Sequence, residues 1–160
     1  MAIPLHLWLT DQDGSDIRGS SAVSGRDGSI EVLSFSHGIH IPADASTGKL
    51  IGVRSHDAMV VEKEIDRSTP LLYRAAAKGA TLRSATLKWY RIDESGLERE
   101  YFRITMADVK VTCIMPRVAN IKDSATATQN HVETVGLRYG KITWSYLDGN
   151  LVFSDEWNQY

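Results

Sequence analysis

The sequence predicts a mainly β protein built from long, curved strands, with a single helix. Three observations lead there. Most apolar residues sit on alternate positions, the period of a half-buried strand. In two long ribbons that alternation slips by one residue, near Gly140 and again near Ala107-Asp108. A slip flips every later side chain unless a bulge or bend absorbs it, which favours a barrel or tightly packed sheets over a flat open sheet. Only one stretch, Thr69 to Gly79, reads as a helix, too few for the crossovers of a parallel α/β sheet.

Taken in order, Leu5, Leu7 and Leu9 alternate with His6 and Trp8 in a first strand, and Asp11-Gln12-Asp13-Gly14 ends it. Residues 15–29, rich in Ser, Gly and Asp, form a loop. Ile30 and Val32, then Leu33 and Phe35, then Ile39 and Ile41 give a second strand with its own parity change, stopped at Pro42. The polar segment 42–52 is an exposed connection. Residues 53–65 continue as a strand with Met59, Val61 and Ile65 on one face.

The helix begins with Thr69 as N-cap and Pro70 in the first turn, where its missing donor is not needed. Leu71, Leu72, Ala75 and Ala76 make its apolar stripe, and Gly79 suits the left-handed residue that ends it. At about ten residues it needs packing on the sheet to persist. Residues 81–115 then form a long hairpin around Asp93-Glu94-Ser95-Gly96, with a bent second strand that Pro116 ends. Residues 116–130 form another loop. Val135, Leu137 and Tyr139, followed by Ile142, Trp144 and Tyr146, make a long bent strand, and Asp148-Gly149-Asn150 turns the chain into a last strand through Leu151 and Phe153. The expected total is six to eight strands and one helix.

The length of 160 residues fits one domain, 1–160. A net charge of -2 gives no support to a nucleic-acid or anionic-membrane partner. The single cysteine, Cys113, cannot form an internal disulfide, and its alternation with Val109 and Val111 suggests a buried, inert thiol. The N-terminus lacks the features of a secretory signal, and no apolar run is long enough to cross a membrane as a helix. These features suggest synthesis in the cytoplasm and, if the protein is exported, a route that reads no N-terminal signal.

Catalytic signatures are absent. Ser46-Thr47-Gly48-Lys49 lacks the earlier glycine, the following Ser or Thr and the helix of a phosphate-binding loop. His37 and His40 have opposite parity, which argues against a metal pair, while His56 and His131 could approach only through the fold. Glu62, Glu64, Glu98, Glu100 and Glu133 lie in strand-like runs and are expected to pair with Lys or Arg on a solvated or subunit-facing surface. Trp8, Trp89 and Trp144 suit core packing or a subunit contact, and no basic cluster beside them suggests base stacking. Neither cofactor nor metal is expected.

The segments "LRYGKITWSYLDGN" and "SDEWN", with "MAIPLHLWL", "KEIDRSTPLLYRAAAKG" and "LKWYRIDESG" in the same order, resemble the haemolysin-coregulated proteins, the inner-tube proteins of the bacterial type VI secretion system. The resemblance implies a two-sheet β-barrel with one short flanking helix. It implies hexameric rings that stack into a secreted tube, propelled by a contractile sheath, delivered with a spike protein and carrying effector proteins in the lumen. It further implies no enzymatic activity and no membrane insertion. By that likeness, ring stacking falls to the 42–52 loop through Asp44, Ser46, Thr47 and Lys49, and effector contact to Arg117, Asn120 and Lys122. The 42–52 loop lacks the glycine run of many relatives, and with Tyr160 as the last residue no toxin extension is expected. The alternative reading is a small-ligand-binding barrel or a barrel-type hydrolase.

Overall fold

A computed structural model describes residues 3–157. Met1, Ala2, Asn158 and Tyr160, which figure in the expectations above, lie outside those residues. The elements follow in order as β1 (Leu5–Thr10), β2 (Asp16–Ile17), β3 (Ile30–Ser36), β4 (Ile39–His40), β5 (Ser55–His56), β6 (Met59–Glu64), α1 (Thr69–Lys78), β7 (Thr81–Ile92), β8 (Glu98–Arg117), β9 (Val132–Arg138), β10 (Lys141–Tyr146) and β11 (Leu151–Glu156).

Strands β8, β7, β1, β3, β6 and β9 are paired in that order, and β9 returns to β8. This closes a six-stranded antiparallel barrel, with β2 added beside β1. The hairpin β10–β11 extends from the first half of β8, and β4–β5 form a separate two-stranded ribbon. The mainly β barrel with one flanking helix is therefore present. The strand number exceeds the expected range because β2, β4 and β5 are two-residue pairings that periodicity does not reveal, and because the bent C-terminal ribbon is interrupted into β9 and β10.

The two parity slips are one structural feature. Strand β8 runs 20 residues, pairing with β10 through Phe102–Ala107 and with β9 through Lys110–Arg117. The break between β9 and β10 lies opposite Asp108, which has φ of 53°. There the Gly140 amide donates to the carbonyls of Ala107 (3.0 Å) and Asp108 (3.1 Å). A Cβ on Gly140 would come 3.2 Å from that of Asp108, so the two ribbons turn together where one partner has no side chain. Beyond the corner, core-facing positions switch from Ile104 and Met106 to Val109 and Val111, and from Val135, Leu137 and Tyr139 to Ile142.

Bulges also explain smaller departures. The β3–β6 register shifts between Val32 and Ser34, so the position that next turns toward the core after buried Val32 is Phe35, not Ser34. A shift between Val111 and Cys113 leaves Cys113 half-buried, not buried as its alternation suggested. Ile65, expected beside Met59 and Val61, is exposed because β6 ends at Glu64.

Leu72 and Ala75 of α1 join the barrel core, and Gly79 ends the helix at φ 61°, its amide bonded to the Ala75 and Ala76 carbonyls. The N-cap is Ser68, not Thr69, and makes no side-chain cap bond. Its hydroxyl donates to Asp66, while the Thr69 hydroxyl donates to buried Glu133 at 2.8 Å. The first is a local bond to the preceding turn and the second a tertiary contact, so neither hydroxyl caps the helix.

Candidate assembly surfaces

Four features stand out from the barrel. The first is an arm formed by residues 38–57. Its stem is the β4–β5 pairing of Ile39 with His56 and His40 with Ser55, reinforced by Asp57 N–H to the Gly38 carbonyl at 2.9 Å. Toward the tip, Ala43 bridges Leu50. Asp44 accepts from the amides of Ser46 (2.9 Å) and Thr47 (2.8 Å) and from the Thr47 hydroxyl (3.1 Å), bonds that hold its carboxyl below the usual range. Asp44 therefore builds the turn, while Ser46, Thr47 and Lys49 are exposed on it. The stalk also exposes Ile41, Leu50, Ile51 and Val53.

The second is the hairpin β10–β11. Among the described residues, strand β11 has one neighbouring strand and its far edge is unpaired. Leu151, Val152 and Phe153 are 68%, 63% and 64% exposed in succession, so both faces of the edge strand are open as well. An aromatic row leads inward from it. Phe153 stacks on Trp144 at 5.9 Å and 13°; Phe102 meets Trp89 edge-on at 5.1 Å, and Trp89 meets Phe35 at 5.2 Å. Phe35, Trp89, Phe102 and Trp144 are all half-buried.

The third is the loop 118–131 between β8 and β9. Asn120 organises it, accepting from the Lys122 amide (3.0 Å) through its side chain and from the Thr126 hydroxyl (2.7 Å) through its carbonyl. Arg117, Asn120 and Lys122 are exposed, and Arg117 reaches Glu62 at 3.4 Å.

The fourth is internal. Lys63 and Glu133 face one another across β6 and β9, and both are buried. The Lys63 ammonium donates to Glu133 and to the Glu64 carbonyl (2.9 Å), and lies 3.1 Å from Asp66. The other oxygen of Glu133 has no hydrogen-bond partner among the described residues. This corrects the surface placement expected for Glu133. Glu62, Glu98 and Glu100 do meet Arg117, Arg26 and Arg103.

Among the histidines, His6 is buried and bonded through Nδ1 to the Ser29 hydroxyl at 2.8 Å. Burial, aided by the nearby Arg26, lowers its pKa to about 4. His37 and His56 meet at Tyr139, a convergence that no spacing in the sequence announces. His40 points away to Asp57, as the opposite parity implied. Among the described residues no group of three or more His, Cys, Asp or Glu side chains could hold a metal ion. Leu7, Leu9, Ile30, Met59, Leu87, Met106 and Leu137 occupy the barrel interior, where a ligand-binding reading needs a cavity.

Among the described residues, a small closed barrel with one flanking helix, a projecting arm and an edge hairpin defines a class of β-barrel protein with apolar residues exposed on its arm and hairpin. The chain belongs to the haemolysin-coregulated protein family of the type VI secretion system: the family model described as "Type VI secretion system effector, Hcp" matches residues 7–146. The "Major exported protein" of Pseudomonas aeruginosa is 30% identical over 142 residues, covering 89% of this chain and 83% of that protein. The solved Hcp1 structure of the E. coli EAEC 042 pathovar is 49% identical, with a TM-score of 0.88 over 98% of this chain and 99% of that one. Hcp3 from P. aeruginosa shares the fold at 23% identity, with a TM-score of 0.80 over 98% of this chain and 99% of that one.

Proposed function

We propose that this protein is a structural tube subunit that closes into hexameric rings, stacks them into the secreted inner tube of a type VI secretion system, and performs no reaction of its own. The observation that carries this reading is the bare β11 edge with Leu151, Val152 and Phe153 exposed together. An uncovered, apolar edge strand is an aggregation hazard that proteins blunt with charge, proline or a cover. A neighbouring copy supplies the cover, and a contact between unlike surfaces passes head to tail until a suitable rotation closes the ring.

In this reading residues 1–160 act as one unit. The arm provides ring-to-ring contacts through Ser46, Thr47 and Lys49, with Asp44 shaping the turn that presents them. Arg117, Asn120 and Lys122 face the lumen and meet effector proteins. Spike and sheath are the other partners, and export proceeds from the cytoplasm without a signal peptide. Support for export comes from the family and from the relative named as a major exported protein.

The test substitutes β11. Val152→Lys with Phe153→Lys is expected to convert rings to folded monomers, with the β-sheet circular dichroism retained. Persistence of the ring in that variant removes β11 from the interface. A monomeric wild type at micromolar concentration removes the tube reading itself.

A further inference from the structure

We propose that His37, Tyr139, His56 and Asp155 form a protonation-sensitive latch that holds both roots of the 38–57 arm, takes up one proton without opening, and opens on the second. If the arm makes ring-to-ring contacts, as proposed above, the latch makes stacking acid-sensitive.

The geometry is a chain of hydrogen bonds. His37 Nε2 lies 2.8 Å from the Tyr139 hydroxyl, and His56 Nδ1 lies 2.5 Å from the same oxygen. His56 Nε2 lies 2.8 Å from Asp155 Oδ2, and Arg54 grips the same carboxylate with bonds of 2.6 and 2.7 Å. His37 stands where the chain enters the arm; Arg54 and His56 stand where it leaves. Tyr139 lies at the β9–β10 corner and Asp155 on β11, so both roots are tied to the part of the molecule that turns at Gly140. His56, Tyr139 and Asp155 are buried. Trp157 covers both rings, 5.2 Å from His56 and 5.3 Å from Tyr139, and Arg138 lies over Trp157.

Donor and acceptor accounting fixes the directions. A carboxylate only accepts, so the neutral His56 ring carries its hydrogen on Nε2 and offers the Nδ1 lone pair. The Tyr139 hydroxyl donates to that lone pair, and His37 Nε2–H donates to the Tyr139 oxygen. When His56 gains a proton on Nδ1, it becomes a donor to Tyr139. The hydroxyl then turns to His37, whose hydrogen moves to Nδ1, so the two bonds at the Tyr139 oxygen survive in reverse while Nε2–H still donates to Asp155. A second proton ends this. Both rings then donate toward one oxygen, and the tyrosine hydrogen has no acceptor in the chain. A buried polar group left unpaired, beside two imidazolium charges, favours release of the arm.

His37 is pushed below the ordinary histidine range by burial first and by His56 second, with Asp57 acting the other way. Asp155 is held down to about 2, chiefly by Arg54, and so remains an acceptor throughout. Burial raises the Tyr139 phenol, which stays protonated. The outer ionisable groups are His40, paired with Asp57 at 3.3 Å, and Arg138.

Amide hydrogen exchange on the intact protein, expressed as protection relative to barrel amides, tests the latch. Between about pH 7.5 and about pH 5, arm protection in the wild type should fall roughly tenfold or more while the barrel stays closed. His37→Gln, whose amide can donate or accept but cannot take the second proton, should keep the arm protected at the acid end. Tyr139→Phe should leave it unprotected even at the alkaline end. A flat wild-type profile, or His37→Gln opening together with wild type, overturns the latch. Because exchange reports the arm whether or not rings stack, failure of the latch is distinct from failure of the tube reading, which sizing alone decides.

Discussion

Replacing Lys63 by Met should show what the buried ion pair does, because its two halves are not equivalent. Removing the ammonium leaves Glu133 wholly buried, with the Thr69 hydroxyl as its remaining donor and one oxygen already unpartnered. A carboxylate in that position does better to bind a proton. For a group with an ordinary pKa near 4.3, protonation at pH 7 costs about 3.7 kcal/mol, at about 1.36 kcal/mol per pH unit. That falls within the ~3–5 kcal/mol typical of a broken buried pair. The sign follows from linkage. In the variant the folded state holds a proton that the unfolded state lacks, so the penalty shrinks as pH falls and is about 1 kcal/mol near pH 5. Glu133→Gln behaves differently. Lys63 keeps Asp66 at 3.1 Å and the Glu64 carbonyl at 2.9 Å, so the loss should be ~1–3 kcal/mol. Urea unfolding followed by tryptophan fluorescence, at fixed protomer concentration because association adds to apparent stability, measures both. Equal losses in the two variants, or a Lys63→Met penalty that does not change with pH, would refute the reasoning.

Three other outcomes follow from the same structure. The lowered pKa of His6 means that the unfolded chain takes up a proton there first; stability is complete above about pH 6.5 and should fall by about 3 kcal/mol as pH drops to about 4, a loss that His6→Gln should largely remove in pH-dependent unfolding. A Cβ on Gly136 would come 2.7 Å from Cys113 Sγ and 2.8 Å from the Thr112 hydroxyl, so Gly136→Ala should cost ~1–3 kcal/mol in urea unfolding. Asp108→Val places a β-branched residue at φ 53°, and should cost ~1–2 kcal/mol without changing the m-value.

The sequence made the corner visible as two slips, at Ala107-Asp108 and at Gly140, but not that they face one another; that depends on a register set by residues thirty positions apart. Helix α1 was legible because Pro70 and Gly79 act locally, whereas its N-cap was not, since Ser68 and Thr69 are claimed by Asp66 and Glu133 from outside the helix. A usable signal for the buried pair was present. Lys63 continues the core parity of Met59 and Val61, and Glu133 that of Val135 and Leu137, so two opposite charges stood at inward positions of strands that pair. The strands expected at 30–41 and 53–65 break where the arm leaves the barrel, at His37-Gly38 and Asp57-Ala58, because the arm pairs with itself instead. The latch gave no sequence sign, as His37 and Tyr139 are 102 residues apart and His56 and Asp155 are 99 apart. The candidate stacking and lumen residues came from family likeness alone; the structure adds that Asp44 and Asn120 shape their loops, that the Thr47 hydroxyl is bonded to Asp44 and Arg117 to Glu62, and that Ser46, Lys49 and Lys122 are exposed.

Sizing the purified protein by light scattering at micromolar concentration tests self-association most directly. A particle of six protomer masses, reduced to one by Val152→Lys with Phe153→Lys, is the predicted result; a wild-type monomer with β11 left bare would contradict it.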